Sequence, residues 1–170
     1  MTRLLLMRHA KSDWSSGEND DFLRPLNQRG VRDARNMGCW LAAEGYLPDS
    51  VLSSPARRTR DTLRLLGEGA GTALDRRVTW DDTLYLAAVP ALLAALRRHD
   101  RDTGVMVLAH NPGLEELLGW LLVERAPVAA LGKVFPTGAV YVLEQAEPVS
   151  ALTRGGSRIV AAQRPRQLSE

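Results

Sequence analysis

Cysteine is all but missing from this chain, with Cys39 the single one among 170 residues. One thiol excludes an internal disulfide and any metal site built on several cysteines. Its neighbours Met37, Trp40 and Leu41 are apolar, so the expectation is a buried structural thiol rather than a nucleophile. Long hydrophobic runs are also missing. The apolar stretch near the N-terminus extends only from Leu4 to Met7, too short for the core of a signal peptide and far too short to span a bilayer. The expectation is a soluble, cytoplasmic protein without a membrane partner. Aromatic residues make up 5% of the chain, and they do not interleave with basic residues as single-strand nucleic-acid binding requires. No nucleic-acid partner is expected. The formal charge of +2 gives no global attraction to a polyanion. Repeats, low-complexity segments and linkers are absent, and the length fits one domain over residues 1–170. A chain of this size buries roughly two-thirds of its unfolded surface and needs no staple.

What is present is an alternation of strand-length apolar runs with helical patterns. Leu4 to Met7 is continuously apolar, as a strand buried on both faces would be. A polar loop from Ala10 to Arg24 follows. The spacing then predicts a helix from near Asn27, with Val31, Ala34, Gly38 and Leu41 on one face and Gly45 closing it. Asp49 to Ser53 reads as a second strand, leading into a helix that carries Thr59, Thr62, Leu63 and Leu66 and ends around Gly67–Gly71. A weak strand is predicted over Arg77 to Trp80. Pro90 suits the first turn of a helix lined by Val89, Leu92, Leu93 and Leu96. Val105 to Ala109 is the clearest strand, running into Asn111-Pro112 and a helix with Leu114, Leu117, Leu118 and Leu121 inward. Two further strands are expected at about Ala139 to Leu143 and Arg158 to Ala162. This order predicts an α/β fold, a three-layer α/β/α sandwich with a mainly parallel central sheet. In such sheets the ligand crevice lies beyond the carboxyl ends of the strands.

Those ends carry basic residues. The first strand stops at Arg8-His9, the second opens through Ser53-Ser54-Pro55 onto Arg57 and Arg58, and Val105 to Ala109 stops at His110. The third histidine, His99, follows Arg97 and Arg98 and reads as an exposed residue. Singly, a histidine after a strand is more often a hydrogen-bonded structural residue, and an arginine at a helix start is usually solvated. Arg57, Arg58, Arg60 and Arg64 fall together, whereas Arg154, Arg158, Arg164 and Arg166 read as a solvated face or frayed tail. In combination, two histidines and two or more arginines at one edge, without obvious acidic partners, gather like charges that only an anion would make favourable. Arginine's planar fork suits phosphate oxygens.

At these residues the sequence resembles a known family. LLLMRHAKSDW is similar to the motif that opens the histidine phosphatase superfamily, and SSPARRTRDT to its arginine-bearing helix start. VLAHNPGLEEL resembles the form found in the short SixA-type phosphohistidine phosphatases; DFLRPLNQRG and FPTGAVYVLE resemble further elements of that branch. The likeness runs from Arg3 to about Glu144. It implies that His9 is the nucleophile, forming a phosphohistidine, and that Arg8, Arg58 and His110 bind the non-bridging oxygens. Such a histidine must be neutral, with one ring nitrogen hydrogen-bonded and the other bare. Phosphoryl transfer asks a protein mainly to align reactants and stabilise spread negative charge, and neither a metal nor another cofactor is expected.

The glutamate that serves many members as general acid has no counterpart in Thr79 to Tyr85. Asp81 and Asp82, or Asp13 and Asp21 in the first loop, are candidates for that role, as they are for loop carboxylates or helix caps. A phosphoramidate leaves readily once its imidazole is protonated, so the missing acid favours that substrate class. The partner expected is a phosphorylated substrate, either a phosphohistidine protein or a small phosphate ester. Specificity is expected in the loop Lys11 to Arg24 and around Tyr85. The alternatives are phosphoglycerate mutase-type phosphotransfer and a non-catalytic phospho-ligand-binding domain.

Overall fold

The computed structural model describes residues 1–99, 103–123 and 133–168. Six strands form one sheet: β1 (Thr2–Arg8), β2 (Ser50–Ser53), β3 (Val78–Trp80), β4 (Gly104–Ala109), β5 (Val140–Gln145) and β6 (Arg158–Gln163), in the order β3-β2-β4-β1-β5-β6. The first four are mutually parallel, and β5 runs antiparallel to β1 and β6. The expected sandwich with a mainly parallel sheet is therefore present.

The continuous apolar run of β1 has a direct cause. Leu4 and Leu6 pack into the core shared with α3 (Val89–Arg97) and α4 (Gly113–Leu121). Leu5 and Met7 face the opposite core, under α1 (Gln28–Ala43) and α2 (Arg57–Ala70). Alternate side chains of one strand thus serve two helical layers. Burial contributes about 1.5–3 kcal/mol for each of them. Among the described residues no helix is long and apolar enough to cross a membrane.

Local signals act as expected at α1. The Asn27 side chain accepts from the Gly30 N–H at 2.8 Å, satisfying one of the unpaired donors of the first turn. Gly45, at φ 72°, takes the left-handed conformation that follows the last turn. Cys39 departs from expectation: it is exposed, with Sγ 3.2 Å from the Gly69 carbonyl. Met37 and Leu41 point into the core, and a residue two positions from Met37 lies about 200° around the helix from it. Apolar neighbours in sequence were no guide to its face. His99 is half-buried rather than exposed, and its N–H donates to Leu96 O at the end of α3. Nor is the basic C-terminal segment frayed. It forms β6 and a short helix, Pro165–Leu168, with Arg158 paired to Glu144.

Helices α1 and α2 pack backbone to backbone. A Cβ on Gly38 would lie 2.1 Å from the Leu66 carbonyl oxygen, and one on Gly69 would lie 2.0 Å from that of Arg35. Neither contact can relax without separating the helices. Gly38→Ala is expected to destabilise the fold by about 2 kcal/mol despite alanine's better helix propensity, lowering Tm by roughly 4–8 °C. Thermal melts of the variant test this, and an unchanged Tm would contradict it.

Candidate active site

The sheet's geometry converges the basic residues. Arg8 aligns with Ala109, and Ser53 with Leu108, so β1, β4 and β2 end level and side by side. Their next residues, His9, His110 and Ser54, open one crevice. Because β5 is antiparallel, it starts at that same edge, opposite Met7, and the loop preceding it delivers Phe135 and Thr137. These elements and the first loop enclose a cavity of about 290 Å³ whose lining includes Arg8, His9, Arg58, His110 and Asn111. A larger cavity of about 650 Å³ lies between Val89, Trp120 and Val134 and contains no histidine. Size alone does not locate the site; the convergence of buried charged groups does.

His9 is 5% exposed. Its Nδ1 lies 2.7 Å from the Ala10 carbonyl oxygen. A carbonyl can only accept, so Nδ1 carries the proton and Nε2 is left bare. Burial, opposed by the Ala10 hydrogen bond and reinforced by His110, Arg58 and Arg8, pulls the pKa down to about 3. The ring is therefore neutral at physiological pH. His110 Nε2 lies 2.8 Å from Ser54 Oγ, and the two imidazole rings are 5.3 Å apart. Burial, followed by the nearby Arg58, lowers His110 to about 3 as well.

These shifts have a consequence for stability. Both histidines bind protons less well folded than unfolded, where the pKa is about 6.5. Between pH 6.5 and about 3 the unfolded state carries the extra protons, so stability rises with pH across that window. Their contribution is fully present above pH 6.5 and is lost as the pH falls. The Tm of the wild type is expected to fall more between pH 6.5 and pH 4.5 than that of a His9→Gln/His110→Gln double variant, as parallel melts would show.

Arg58 is the arginine of its cluster that turns inward. Arg57 pairs with Asp61, Arg64 with Glu68, and Arg60 donates to Pro55 O beside the Trp80 ring. Arg58 is 2% exposed, and both its Nη atoms bond to Asp21: Nη1 donates to the backbone oxygen at 2.7 Å and Nη2 to Oδ2 at 3.1 Å. Arg8 Nη1 donates to Phe135 O at 3.1 Å, an oxygen that also accepts from Asn111 Nδ2 at 3.0 Å. Four buried polar atoms here have no hydrogen-bond partner among the described residues: Arg8 Nε, Arg58 Nε, His110 Nδ1 and Asn111 Oδ1.

The four residues His9, Arg8, Arg58 and His110 are thus brought together. The carboxylate candidates separate. Asp81 caps a 3-10 turn by accepting from Thr83 N and pairs with Arg98 at 2.6 Å. Neither Asp81, Asp82 nor Asp13 lines the cavity. Asp21 does, which corrects the expectation of a cationic pocket without an acidic partner. Its Oδ1 is 2.5 Å from Arg24 Nη1, and its Oδ2 accepts from the Tyr85 hydroxyl at 2.5 Å. Burial pushes the Asp21 pKa up, but Tyr85, Arg58 and Arg24 outweigh it and hold the carboxyl at about 2. Sequence reasoning missed this network because its members are far apart in the chain. It missed Arg24 as well: a buried guanidinium under the Trp14 ring, 3.6 Å from its centroid, donating to Ser12 Oγ. The signal available was DFLRPLNQRG, noted for its likeness and not for its arginine. Among the described residues no group of three or more His, Cys, Asp or Glu side chains is placed to hold a metal ion.

Comparison with known proteins places this geometry. Residues 4–85 match the family model described as Histidine phosphatase superfamily (branch 1). A SixA-type protein from Agrobacterium tumefaciens superposes with TM-score 0.81 at 30% identity, covering 96% of this chain and 98% of that structure. The phosphohistidine phosphatase SixA of Escherichia coli K12 is 29% identical over 140 residues, 81% of this chain and 82% of that protein. An uncharacterized protein of Mycobacterium tuberculosis H37Rv is 33% identical over 165 residues, covering 94% of this chain and all of the relative.

Proposed function

Because the chain belongs to the histidine phosphatase superfamily, we propose that it is a SixA-type phosphatase in which His9 carries the phosphoryl group between substrate and water. The observation that carries this reading is the state of His9: a neutral ring with Nδ1–H tied to Ala10 O and Nε2 bare, in a cavity lined by Arg8, Arg58 and His110. The Nε2 lone pair forms a bond to phosphorus as the bond to the leaving group breaks, and the bonding pair departs with that group. Water then attacks the phosphohistidine, and the P–N pair returns to Nε2.

The unpartnered Arg8 Nε and Arg58 Nε are donors for the non-bridging oxygens, since a buried donor left unpaired costs about 1–3 kcal/mol. The Ser54 hydroxyl, which also accepts from the Ala56 N–H at 3.3 Å, lies 2.8 Å from His110 Nε2 and fixes the direction of that ring. A ring proton on Nδ1, which has no partner of its own among the described residues, makes His110 a third donor. Preorganised donors of this kind stabilise the charge of the transferring phosphoryl group. The substrate is a phosphohistidine protein or a small phosphate ester.

The test is hydrolysis of para-nitrophenyl phosphate in the presence of a chelator, with trapping of the enzyme by an alkaline denaturing quench. Turnover unaffected by the chelator is expected, together with an acid-labile, base-stable phosphoryl adduct on the peptide that contains His9. Loss of activity with chelator, or an adduct elsewhere, would overturn the reading.

A further inference from the structure

We infer that Asp21 is a specificity-determining residue, whose carboxylate accepts the N–H of a protonated nitrogen leaving group and so selects phosphoramidates over alcohol esters. This rests on the phosphatase reading above and names a selector within it. In-line displacement places the leaving group on the side of phosphorus away from the attacking His9 Nε2. His9 and His110 lie buried at the base of the cavity, whereas the Asp21 side chain is 43% exposed at its mouth. The leaving group therefore emerges past Asp21, the single carboxylate among the described residues that line the cavity.

The carboxylate is also oriented and kept ionised. Oδ2 accepts from Arg58 Nη2 and the Tyr85 hydroxyl, and among the described residues Oδ1 accepts from Arg24 Nη1 alone. An ionised carboxylate oxygen has about two lone-pair sites, so Oδ1 retains acceptor capacity. The same three partners hold the group at about pKa 2, and at neutral pH it has no proton to donate. For an alcohol ester this is the wrong form, because the departing alkoxide needs a proton. For an N-phosphorylated imidazolium it is the right one. The His9 lone pair forms the new N–P bond, and the old P–N bond breaks with its pair returning to the departing nitrogen. The proton on the distal ring nitrogen stays there, hydrogen-bonded to Asp21, and the imidazole leaves neutral. No general acid is needed, which matches Asp81 and Asp82 lying outside the cavity.

The surroundings of Asp21 suit a flat ring. Trp14 is 76% exposed and Leu86 55% exposed, and both line the cavity. Leu86 holds φ at 50°, a conformation costly for a branched side chain, to stand there.

The experiment compares kcat/KM for phosphoimidazole and para-nitrophenyl phosphate, with the full chain as wild type, Asp21→Asn and Asp21→Glu. The nitrophenolate leaves without a proton and serves as reference, so any disturbance of Arg58 shared by both substrates cancels in the ratio. The preference for phosphoimidazole is expected to fall at least tenfold in Asp21→Asn and to recover in part in Asp21→Glu. Equal losses on both substrates would overturn the role of Asp21 while leaving the phosphatase intact. A wild type inert towards both would overturn the phosphatase reading and this inference with it.

Discussion

Replacing His9 by alanine is expected to abolish turnover, by at least about 10⁴-fold, as losing a nucleophile typically does. The other candidate groups described in the cavity are engaged elsewhere. His110 is engaged through Nε2 with Ser54, guanidinium groups are poor nucleophiles, and Asp21 is tied to Arg58, Arg24 and Tyr85. The fold should survive, because the imidazole's one hydrogen bond in the site goes to the neighbouring Ala10 carbonyl. Removing it also removes a histidine that resists protonation, so the variant's stability should depend less on pH below 6.5. Steady-state rates on para-nitrophenyl phosphate and a thermal melt make the pair of measurements. Residual turnover above a few percent with an unchanged Tm would show that His9 is not the nucleophile.

Arg58→Ala should cost about 10²–10³ in kcat, or roughly 3–4 kcal/mol of transition-state stabilisation, by analogy with the loss of one preorganised donor. The side chain is almost wholly buried at the start of α2, where the helix N-terminus adds to the positive potential. Its removal also frees Asp21 of one of its two guanidinium partners. Two effects then add: a lost phosphate donor and a carboxylate less well neutralised beside an incoming anion. Arg58→Lys is expected to recover little, since an ammonium cannot hold Asp21 through two nitrogens while offering a third to phosphate. A kcat within tenfold of wild type for Arg58→Ala would remove Arg58 from the reaction.

How far the chain could be read in advance follows from how local each signal is. The strands β1 and β4 were legible because burial on both faces writes itself as a continuous apolar run. Helix α1 was legible from Asn27 to Gly45 because capping is a matter of three or four neighbouring residues. Strand-end placement of His9, Arg58 and His110 followed from topology once the strands were assigned, and the family likeness rests on the same segments. Cys39 was misplaced because adjacency in sequence is not adjacency around a helix. Asp21 and Tyr85 stood out singly, but the network that joins them to Arg58 and Arg24 was beyond reach for another reason. Arg58 lies 37 residues away and Tyr85 lies 64 away, so a short polar loop becomes a charged network only after the sheet has brought three segments together. Arg24 became a buried cation by the same route, through Trp14 and Asp21.

Strand β1 lies between β4 and β5, and both are made far later in the chain. On the ribosome, the stretch bearing His9 emerges before both of them and then waits. Its flanking strands, the second histidine and the Phe135 carbonyl that anchors Arg8 are still to be synthesised. A nascent chain that has passed the ribosome only as far as α3 holds His9, Arg8 and Arg58 without the partners that align them. The proposed site is thereby incomplete until the central strand is enclosed on both sides, so any activity it supports would follow completed folding.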